Sequence, residues 1–437
     1  MTSTALLTDH YELTMLQASL RSGTADRRAV FELFARRLPE GRRYGVVAGT
    51  GRVLDAVQRF RFDDDVLAAL RDGGVVDEPT CAWLADYRFG GDIWGYPEGE
   101  VYFPGSPLLV VESTFAEAVL LETVLLSIYN HDSAIAAAAS RMTWAAEGRP
   151  CIEMGSRRTH EEAAVASARA SYLAGFAASS NLAARQRHGI PTAGTSAHSF
   201  TLLHDSERDA FTAQVETLGR GTTLLVDTYD VSEAVTAAVE IAGPELGAVR
   251  LDSGDLALMA HRVRRQLDEL GAKDTRIVVT SDLDEHAIAA LGAAPVDGYG
   301  VGTCLVTGSG APTCGFVYKL VARGGDSPDD PMVSVAKTSA SKTSMGGRKW
   351  ALRRLDDTDT AEAEVIGVGR RPEGDSNDRD LMVPLVTAGE VVGREPLEAA
   401  RERHLRVREE LPIRARQLSR GEPAIPTQYV SAHAAAR

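Results

Sequence analysis

Residues 248–282 read AVRLDSGDLALMAHRVRRQLDELGAKDTRIVVTSD, in which two short apolar runs flank a stretch with helical patterning. Each run, AVRLDSG (248–254) and RIVVTSD (276–282), passes directly into small and polar residues. Short apolar runs that alternate with helical stretches are typical of strand–helix–strand units, in which the two strands pair in parallel. This stretch therefore predicts an α/β fold built on a parallel sheet.

The same unit recurs from residue 150 onward, and its apolar runs show no polar alternation. Such runs are typical of strands buried on both faces. About seven units of this kind are most economically arranged as a closed (β/α) barrel. The five further runs are CIEMG (151–155), AGFAASS (174–180), IPTAGT (190–195), TTLLVDT (222–228) and DGYGVGT (297–303).

The remainder of the chain predicts a second, mixed domain. The first 114 residues combine helical patterning with a strand signal at AVFELFAR (29–36), and residues 115–149 are almost entirely helix-forming. We therefore expect an N-terminal α+β domain at 1–114, linking helices at 115–149 and a barrel catalytic domain at 150–335. Residues 336–437 would form a basic segment and a C-terminal region that packs partly on the N-terminal domain.

Composition restricts the class of protein. The 437 residues are 44% hydrophobic and 25% charged, which is ordinary for a soluble globular chain, and the net charge of −14 disfavours nucleic acid or an anionic membrane as partner. The N-terminus lacks a basic leader, and no run approaches the roughly 20 apolar residues of a membrane span. We expect a cytoplasmic protein whose four cysteines, without any CxxC pair, are reduced.

Reactive side chains lie at or just after the ends of the predicted strands. In a barrel these ends converge on one rim, where active sites are built. Helix capping explains the Ser, Thr and Asp residues one at a time, but it does not explain the arginines or the histidine. The strand-end residues include Glu153, Arg157, Ser180, Thr195, His198, Asp227, Arg250, Asp252, Asp282, Gly302 and Thr303.

Two strand ends carry arginines suited to anions. Arg157 and Arg158 lie between a strand and a helix, where a guanidinium and a helix N-terminus both favour a carboxylate or phosphate; pairing with Glu161 or Glu162 is the alternative. Arg250 lies in an apolar strand on the same face as Asp252, which could hold ribose hydroxyls or magnesium.

Two further stretches leave alternatives open. The glycine-rich run at 297–310 is either a tight turn or a phosphate cradle, and its place in the last barrel unit favours the cradle. The stretch 336–354 is either a solvated loop or a lid over polyphosphate, and we expect the lid. Its cations are Lys337, Lys342, Arg348, Lys349, Arg353 and Arg354, with no acid among them.

Seven blocks of the sequence, in order, resemble those of the nicotinate phosphoribosyltransferase family. The resemblance implies an irregular seven-stranded barrel plus a mixed α+β domain, usually in a homodimer. It also implies transfer of phosphoribose from 5-phosphoribosyl 1-diphosphate to nicotinate, coupled to ATP hydrolysis with Mg²⁺, in NAD salvage. The blocks are LLTDHYELTM (6–15), FARRLPEG (34–41), EMGSRRTHEEA (153–163), AGTSAHSF (193–200), VRLDSGDL (249–256), TSDLDE (280–285) and YGVGTCLVT (299–307).

The resemblance implies roles for individual residues. His198 would accept the γ-phosphate of ATP, with Asp252 and Glu153 as further catalytic residues. Nicotinate would be contacted by Thr195, Ser180, Arg250 and a Tyr11 that reaches across the dimer into the neighbouring active site. The phosphoribosyl donor would be bound by Arg157, Gly254, Asp282, Gly302 and Thr303, and which of Arg157 and Arg250 holds which anion stays open.

Ser180 bears on the choice of substrate. Nicotinamide-specific relatives carry an aspartate there, which would repel the nicotinate carboxylate, whereas a hydroxyl can donate to it. Two positions depart from the family pattern, Ala177 in GFAASSN (175–181) and Gly346 in GGRK (346–349). The alternatives are a nicotinamide or quinolinate phosphoribosyltransferase and a non-catalytic barrel that senses nucleotides.

Overall fold

The computed structural model describes residues 2–327, 329–337 and 345–431. The chain divides into two compact units, one formed by the residues up to Ala134 and from Thr313 onward, the other by Ile135–Pro312. The boundaries predicted from the sequence, at residues 114, 149 and 335, stay predictions beside this division. In the part of the chain that is described, no helix has both the length and the apolar composition to cross a membrane.

The elements run in chain order as follows. Up to residue 145 they are α1 (His10–Ser22), β1 (Arg28–Ala35), β2 (Gly45–Val46), α2 (Thr50–Gln58), α3 (Asp64–Asp72), α4 (Glu78–Ala85), β3 (Asp92–Gly95), β4 (Val101–Tyr102), β5 (Leu109–Thr114), α5 (Phe115–Val119) and α6 (Glu122–Ala145). Next come β6 (Cys151–Glu153), a 3-10 helix (Ser156–Arg158), α7 (Glu161–Leu173), β7 (Ala178–Ser179), α8 (Leu182–His188), α9 (His198–Leu203), α10 (Glu207–Leu218), β8 (Thr223–Leu225), α11 (Val231–Ala242), β9 (Ala248–Leu251), α12 (Leu256–Glu269), β10 (Arg276–Ser281), α13 (Glu285–Ala290), β11 (Gly298–Val301) and α14 (Thr303–Val306). The last are β12 (Phe316–Arg323), β13 (Val333–Ser334), β14 (Lys349–Leu355), β15 (Ala361–Val368), β16 (Arg379–Asp380), β17 (Val383–Thr387), β18 (Glu390–Val391), α15 (Leu397–Val407), a second 3-10 helix (Ile413–Arg416) and β19 (Thr427–Ser431).

The unit Ile135–Pro312 is built on a parallel sheet of six strands in the order β7-β6-β11-β10-β9-β8. Its inner strands are apolar and buried, as their unbroken runs predict: Val249, Leu251, Ile277 and Val279 are all inaccessible to solvent. The predicted α/β fold with strands alternating with helices is confirmed.

The seventh predicted strand, IPTAGT (190–195), does not extend the sheet as a full strand. It contributes one parallel bridge, Thr192 to Ser179, and within Ile135–Pro312 no ladder joins this segment to β8. Pro191 has no backbone N–H and therefore cannot donate a hydrogen bond to a neighbouring strand. The observed parallel sheet is therefore six-stranded and is not closed by hydrogen bonds.

The other unit is mixed α+β, as predicted. Its main sheet is antiparallel in the order β13-β12-β1-β5-β3-β17-β18, and a second sheet has the order β16-β14-β15-β19. The central strand β1 pairs with β5 on one side and with β12 on the other. The strand β12 lies within the range 150–335 predicted for the barrel domain and pairs here with β1.

The basic stretch at 336–354 is not a free lid where it is described; Lys342 lies outside the described residues. Four of its cations are paired within the unit: Arg348 with Glu112, Lys349 with Glu32, Arg353 with Glu364, and Arg354 with Asp378. Lys349, Arg353 and their partners are buried, so burial in the sheets explains this basic run. The lid prediction is wrong for these four residues.

Candidate active site

A cavity of about 570 Å³ opens at the carboxyl ends of the parallel strands, inside the unit Ile135–Pro312. Ligands bind at this edge of parallel sheets because the strand ends and the loops that follow them converge there. Eight residues singled out in the sequence line the cavity: Arg157, Ser180, Thr195, Arg250, Asp252, Asp282, Gly302 and Thr303. Arg158, the second arginine of the same stretch, lines it too, as do Ser156 and Thr280, which the sequence interpretation did not single out.

Arg250 is the most constrained cation of the cavity. Its Nη1 donates to Thr195 Oγ1 at 2.7 Å and to the Ser196 carbonyl at 3.1 Å, while its Nε is buried without a hydrogen-bond partner. Burial lowers its pKa; Asp252 and Asp227 oppose this, and the nearby Arg157 adds to it. A cation held beside another cation, with donors to spare, is suited to bind an anion.

Arg157 and Arg158 form the 3-10 helix that follows β6, and both line the cavity. Within the described residues neither has a carboxylate partner, so the predicted alternative, pairing of Arg157 with Glu161 or Glu162, does not occur. Glu162 pairs instead with Arg187. Three guanidinium groups, those of Arg157, Arg158 and Arg250, thus face one cavity.

His198 begins α9 beside the cavity wall, and its side chain is 40% exposed. Its Nδ1 lies 3.1 Å from Thr228 Oγ1. Its Nε2 lies 3.8 Å from Asp252 Oδ2 and 4.0 Å from Asp227 Oδ1. The ring is therefore held between a hydroxyl on one side and two carboxylates on the other, which fixes the directions of its two nitrogens.

Asp227 is the residue whose importance the sequence did not reveal, because an aspartate after a strand reads equally well as a helix cap. Its side chain is 2% exposed. One oxygen accepts the Asp252 N–H at 2.9 Å and the Ser253 hydroxyl at 2.7 Å; the other, which faces His198, has no hydrogen-bond partner. A buried oxygen without a partner is costly, so its retention beside the histidine points to function.

The carboxyl group of Glu207, in the first turn of α10, adds to this acidic surrounding. Burial and the charges of Asp227, Asp230 and Glu233 raise its pKa to about 7. Its Oε1 is buried without a hydrogen-bond partner. Glu207 therefore stays largely neutral below neutral pH, which limits the negative charge that accumulates behind His198.

Glu153 lies behind the cavity rather than in it. It is fully buried, and its two oxygens accept the Gly155 N–H and the Ser179 hydroxyl. Burial raises its pKa. These contacts join the loop after β6 to β7, so the carboxylate fixes the backbone that carries Arg157 and Ser180.

In the glycine-rich run at 297–310, Gly302 and Thr303 directly follow β11 and line the cavity. Gly300 is required by packing, because a Cβ there would lie 2.4 Å from Thr280 Cγ2. Thr280 in turn donates its hydroxyl hydrogen to Asp252. The close approach of β10 and β11 thus sets the position of the Asp252 carboxylate.

Two predicted site residues lie elsewhere. Gly254, in the loop after β9, has φ of +84°, which favours glycine, and it is not among the residues that line the cavity. Tyr11 belongs to the other unit, on α1, with 45% of its surface exposed. Burial and Glu122 raise its pKa to about 12, so the phenol is neutral.

Comparisons with known proteins agree on one family. Residues 6–130 match the model of the nicotinate phosphoribosyltransferase (NAPRTase) N-terminal domain. The chain is 58% identical to nicotinate phosphoribosyltransferase pncB1 of Mycobacterium tuberculosis over 98% of this chain and 95% of that protein. It is 38% identical to the nicotinate phosphoribosyltransferase of Bacillus subtilis, over 81% and 74% of the two chains.

Solved structures give the same result for the fold. The crystal structure of human nicotinic acid phosphoribosyltransferase superposes with a TM-score of 0.82 at 26% identity, covering 98% of each chain. That of nicotinate-nucleotide pyrophosphorylase from Pyrococcus furiosus has a TM-score of 0.75 at 23% identity, over 93% of this chain and 95% of that one.

Proposed function

The chain belongs to the nicotinate phosphoribosyltransferase family, and from this premise we propose that its cavity joins nicotinate to phosphoribose with the help of ATP. In this reaction the pyridine nitrogen attacks C1 of 5-phosphoribosyl 1-diphosphate, a C–N bond forms, and diphosphate leaves. The product is nicotinate mononucleotide, an intermediate of NAD salvage. The observation that carries the ATP coupling is the position of His198, which lies beside a cavity faced by three arginines.

We propose that His198 accepts the γ-phosphate of ATP. An imidazole nitrogen attacks the γ-phosphorus, a P–N bond forms, and the bond to the bridging oxygen breaks so that ADP leaves with the electron pair. The contacts of His198 with Thr228 and the facing Asp227 support this role, because they orient the ring. ATP can drive the overall reaction only if phosphorylated and free enzyme differ in affinity for the substrates.

Mg²⁺ fits the donor set of the cavity, because Asp252 and Asp282 both line it and carboxylate oxygens are ligands that Mg²⁺ prefers. We propose that these two residues hold the ion together with substrate phosphates. Bound there, Mg²⁺ would neutralise the charge of the diphosphate leaving group.

Recognition of nicotinate is assigned to Arg250. Its anchoring by Thr195 and its unsatisfied Nε support binding of the pyridine carboxylate. Ser180 would donate to the same carboxylate, which favours the acid over the amide. Arg157, Gly302 and Thr303 would then bind the phosphates of the donor, and we assign Arg158 to the same anion.

Three further proposals concern residues around the cavity. Glu153 would act as a positioning residue, because both its oxygens are occupied by the protein. In the complete enzyme, residues 190–195 would serve as the seventh strand of an irregular barrel, next to β7. The chain would form a homodimer in which Tyr11 stacks on the pyridine ring in the neighbouring active site, and Gly254 would shape the loop that meets the donor.

A direct experiment measures nucleotide formation with Mg²⁺, the phosphoribosyl donor and nicotinate, nicotinamide or quinolinate, each with and without ATP. We expect product from nicotinate only, with ATP lowering KM for the donor, and acid-labile label on the chain from γ-labelled ATP. His198→Ala should lose the label and the ATP effect. The matched control is His204→Ala, since His204 lies just beyond the same helix and bonds only the Phe200 carbonyl.

The outcomes separate the alternatives. Product from nicotinamide or quinolinate would identify another phosphoribosyltransferase. Nucleotide binding without product from any base would identify a sensing protein. An ATP effect that survives in His198→Ala would exclude this histidine as the phosphoryl acceptor.

A further inference from the structure

A second cavity, of about 500 Å³, lies in the other unit, between the loop after β4 and the C-terminal segment. It is lined by Arg43, Pro104, Arg414, Glu422, Pro423, Ile425, Pro426 and Thr427. None of these residues belongs to the candidate active site. We name it the C-terminal arginine pocket.

Arg43 is fixed in this pocket by neutral acceptors. Its Nη1 donates to the Glu422 carbonyl at 3.1 Å, and its Nη2 donates to the Arg420 carbonyl at 3.1 Å and to the Gln417 side chain at 3.1 Å. Gly421 allows this wrapping, because a Cβ there would lie 2.1 Å from Arg43 Nη1. The Nε is buried without a hydrogen-bond partner, and no carboxylate pairs with Arg43 in the described residues, so the charge of the guanidinium is uncompensated.

Arg414, like Arg43, has no acidic partner in the described residues, whereas the neighbouring arginines of its segment do. Its Nε donates to the Ala424 carbonyl, and no carboxylate pairs with it in the described part of the chain. Two other arginines of the same segment are paired outside the pocket, Arg416 with Glu409 at 3.1 Å and Arg420 with Glu40 at 2.7 Å. Among Arg43, Arg414, Arg416 and Arg420, the two without an acidic partner in the described part of the chain are the two that line the pocket.

We propose that the C-terminal arginine pocket binds the phosphate group of a small organic phosphate ester. Two guanidinium groups that line one pocket match a phosphate dianion in charge, whereas a single carboxylate would leave one cation uncompensated. Glu422, the acid of the lining, uses its main-chain carbonyl to hold Arg43 and lies at the exposed edge. Proline and isoleucine walls, and a volume well above that of a phosphate ion, fit an apolar or planar remainder of the ligand.

Hydrogen exchange of the full chain tests the proposal, because it reports binding at residues 412–427 separately from binding at the active site. The probe is adenosine monophosphate, compared with adenosine and with inorganic phosphate. We expect saturable protection of 412–427 by the monophosphate, weaker protection by inorganic phosphate and none by adenosine. Protection by adenosine equal to that by the monophosphate, or none by the monophosphate up to about 10 mM, would overturn the proposal.

Variants make the test specific. Arg414→Gln should raise the apparent Kd from this protection roughly tenfold or more, because it removes a charge-assisted hydrogen bond. Arg414→Lys, which keeps the charge, should recover part of the loss, and Arg420→Gln is the control, expected within about twofold of the wild type. Equal losses in Arg414→Gln and Arg420→Gln would refute the assignment. Nicotinate kinetics should be unchanged in all three, so this outcome is independent of the proposed function.

Discussion

Replacing Arg250 and Thr195, singly and together, tests how the cavity recognises its acidic substrate. Arg250→Gln removes the cation assigned to the nicotinate carboxylate. Thr195→Val removes the 2.7 Å acceptor that anchors Arg250 Nη1, while the Ser196 carbonyl at 3.1 Å remains. If Thr195 acts on nicotinate chiefly through Arg250, its loss should matter little once Arg250 is gone.

The expected losses in kcat/KM follow from the contacts of Arg250 and Thr195. A charge-assisted hydrogen bond contributes about 1.5–3 kcal/mol, and burial of Arg250 favours the upper end of this range, so we expect Arg250→Gln to cost about 3 kcal/mol. That is roughly a hundredfold loss in kcat/KM for nicotinate. Thr195→Val should cost about 1–1.5 kcal/mol, roughly tenfold, and the double variant should cost little more than Arg250→Gln alone.

The assay is steady-state formation of the mononucleotide at saturating donor and ATP, with nicotinate varied. Arg276→Gln is the matched control, because Arg276 begins β10 at the opposite edge of the sheet and donates only to the Gly247 carbonyl. Losses that add within about 0.5 kcal/mol would show that Thr195 acts independently of Arg250. A loss in Arg250→Gln that falls on KM for the donor rather than for nicotinate would reverse the assignment of the two arginines.

Three further predictions concern charged groups. Glu207→Gln should stabilise the protein more at pH 8 than at pH 5. The Glu207 carboxyl, whose pKa is raised, holds its proton in the folded state, so the folded wild-type protein loses stability as the pH rises toward 7. Melting temperatures of variant and wild type at the two pH values check this, and the same difference between them at both pH values would contradict it. Lys349→Met should lower the free energy of unfolding by about 3–5 kcal/mol in denaturant titration, because it leaves Glu32 buried without its partner. Adding Glu32→Leu should recover most of that loss. Failure of the double variant to recover stability would contradict the pairing. Asp227→Asn should slow labelling of the chain by ATP about tenfold or more. The control is Asp230→Asn, a change at the helix cap of α11, which should mainly lower stability, by about 1 kcal/mol or less. Equal labelling rates in the two variants would exclude a role for Asp227 at His198.

Local patterns were sufficient to predict the parallel sheet and much of the site. Unbroken apolar runs such as RIVV can be buried only where both faces of a strand are covered, and the carboxyl ends of such strands must meet at one edge. This geometry places Arg157, Arg250 and Asp252 around one cavity although nearly 100 residues separate the first from the other two. The resemblance to a family supplied the reaction, which the pattern alone leaves open.

The basic stretch marks the limit of local reasoning. Lys349 and Arg353 look like free surface cations in the sequence because the stretch 336–354 to which they belong contains no acid. The fold brings Glu32, more than 300 residues away, and Glu364, across the neighbouring strand, into contact with them. Whether a charge is free for a ligand or used by the core depends on such contacts, which no window of sequence contains.

Asp227, Asp230 and Asp255 make the same point within the site. In the sequence, Asp227 and Asp255 each lie between a predicted strand and a helical stretch, which is the position of a cap. The structure shows Asp230 and Asp255 capping α11 and α12, whereas Asp227 turns a buried, unsatisfied oxygen toward His198. Hydrophobic periodicity and capping are local properties and can be predicted along the chain. The partner of a buried charge, in contrast, is fixed only when distant strands and loops pack together, so it can be known only from the tertiary structure.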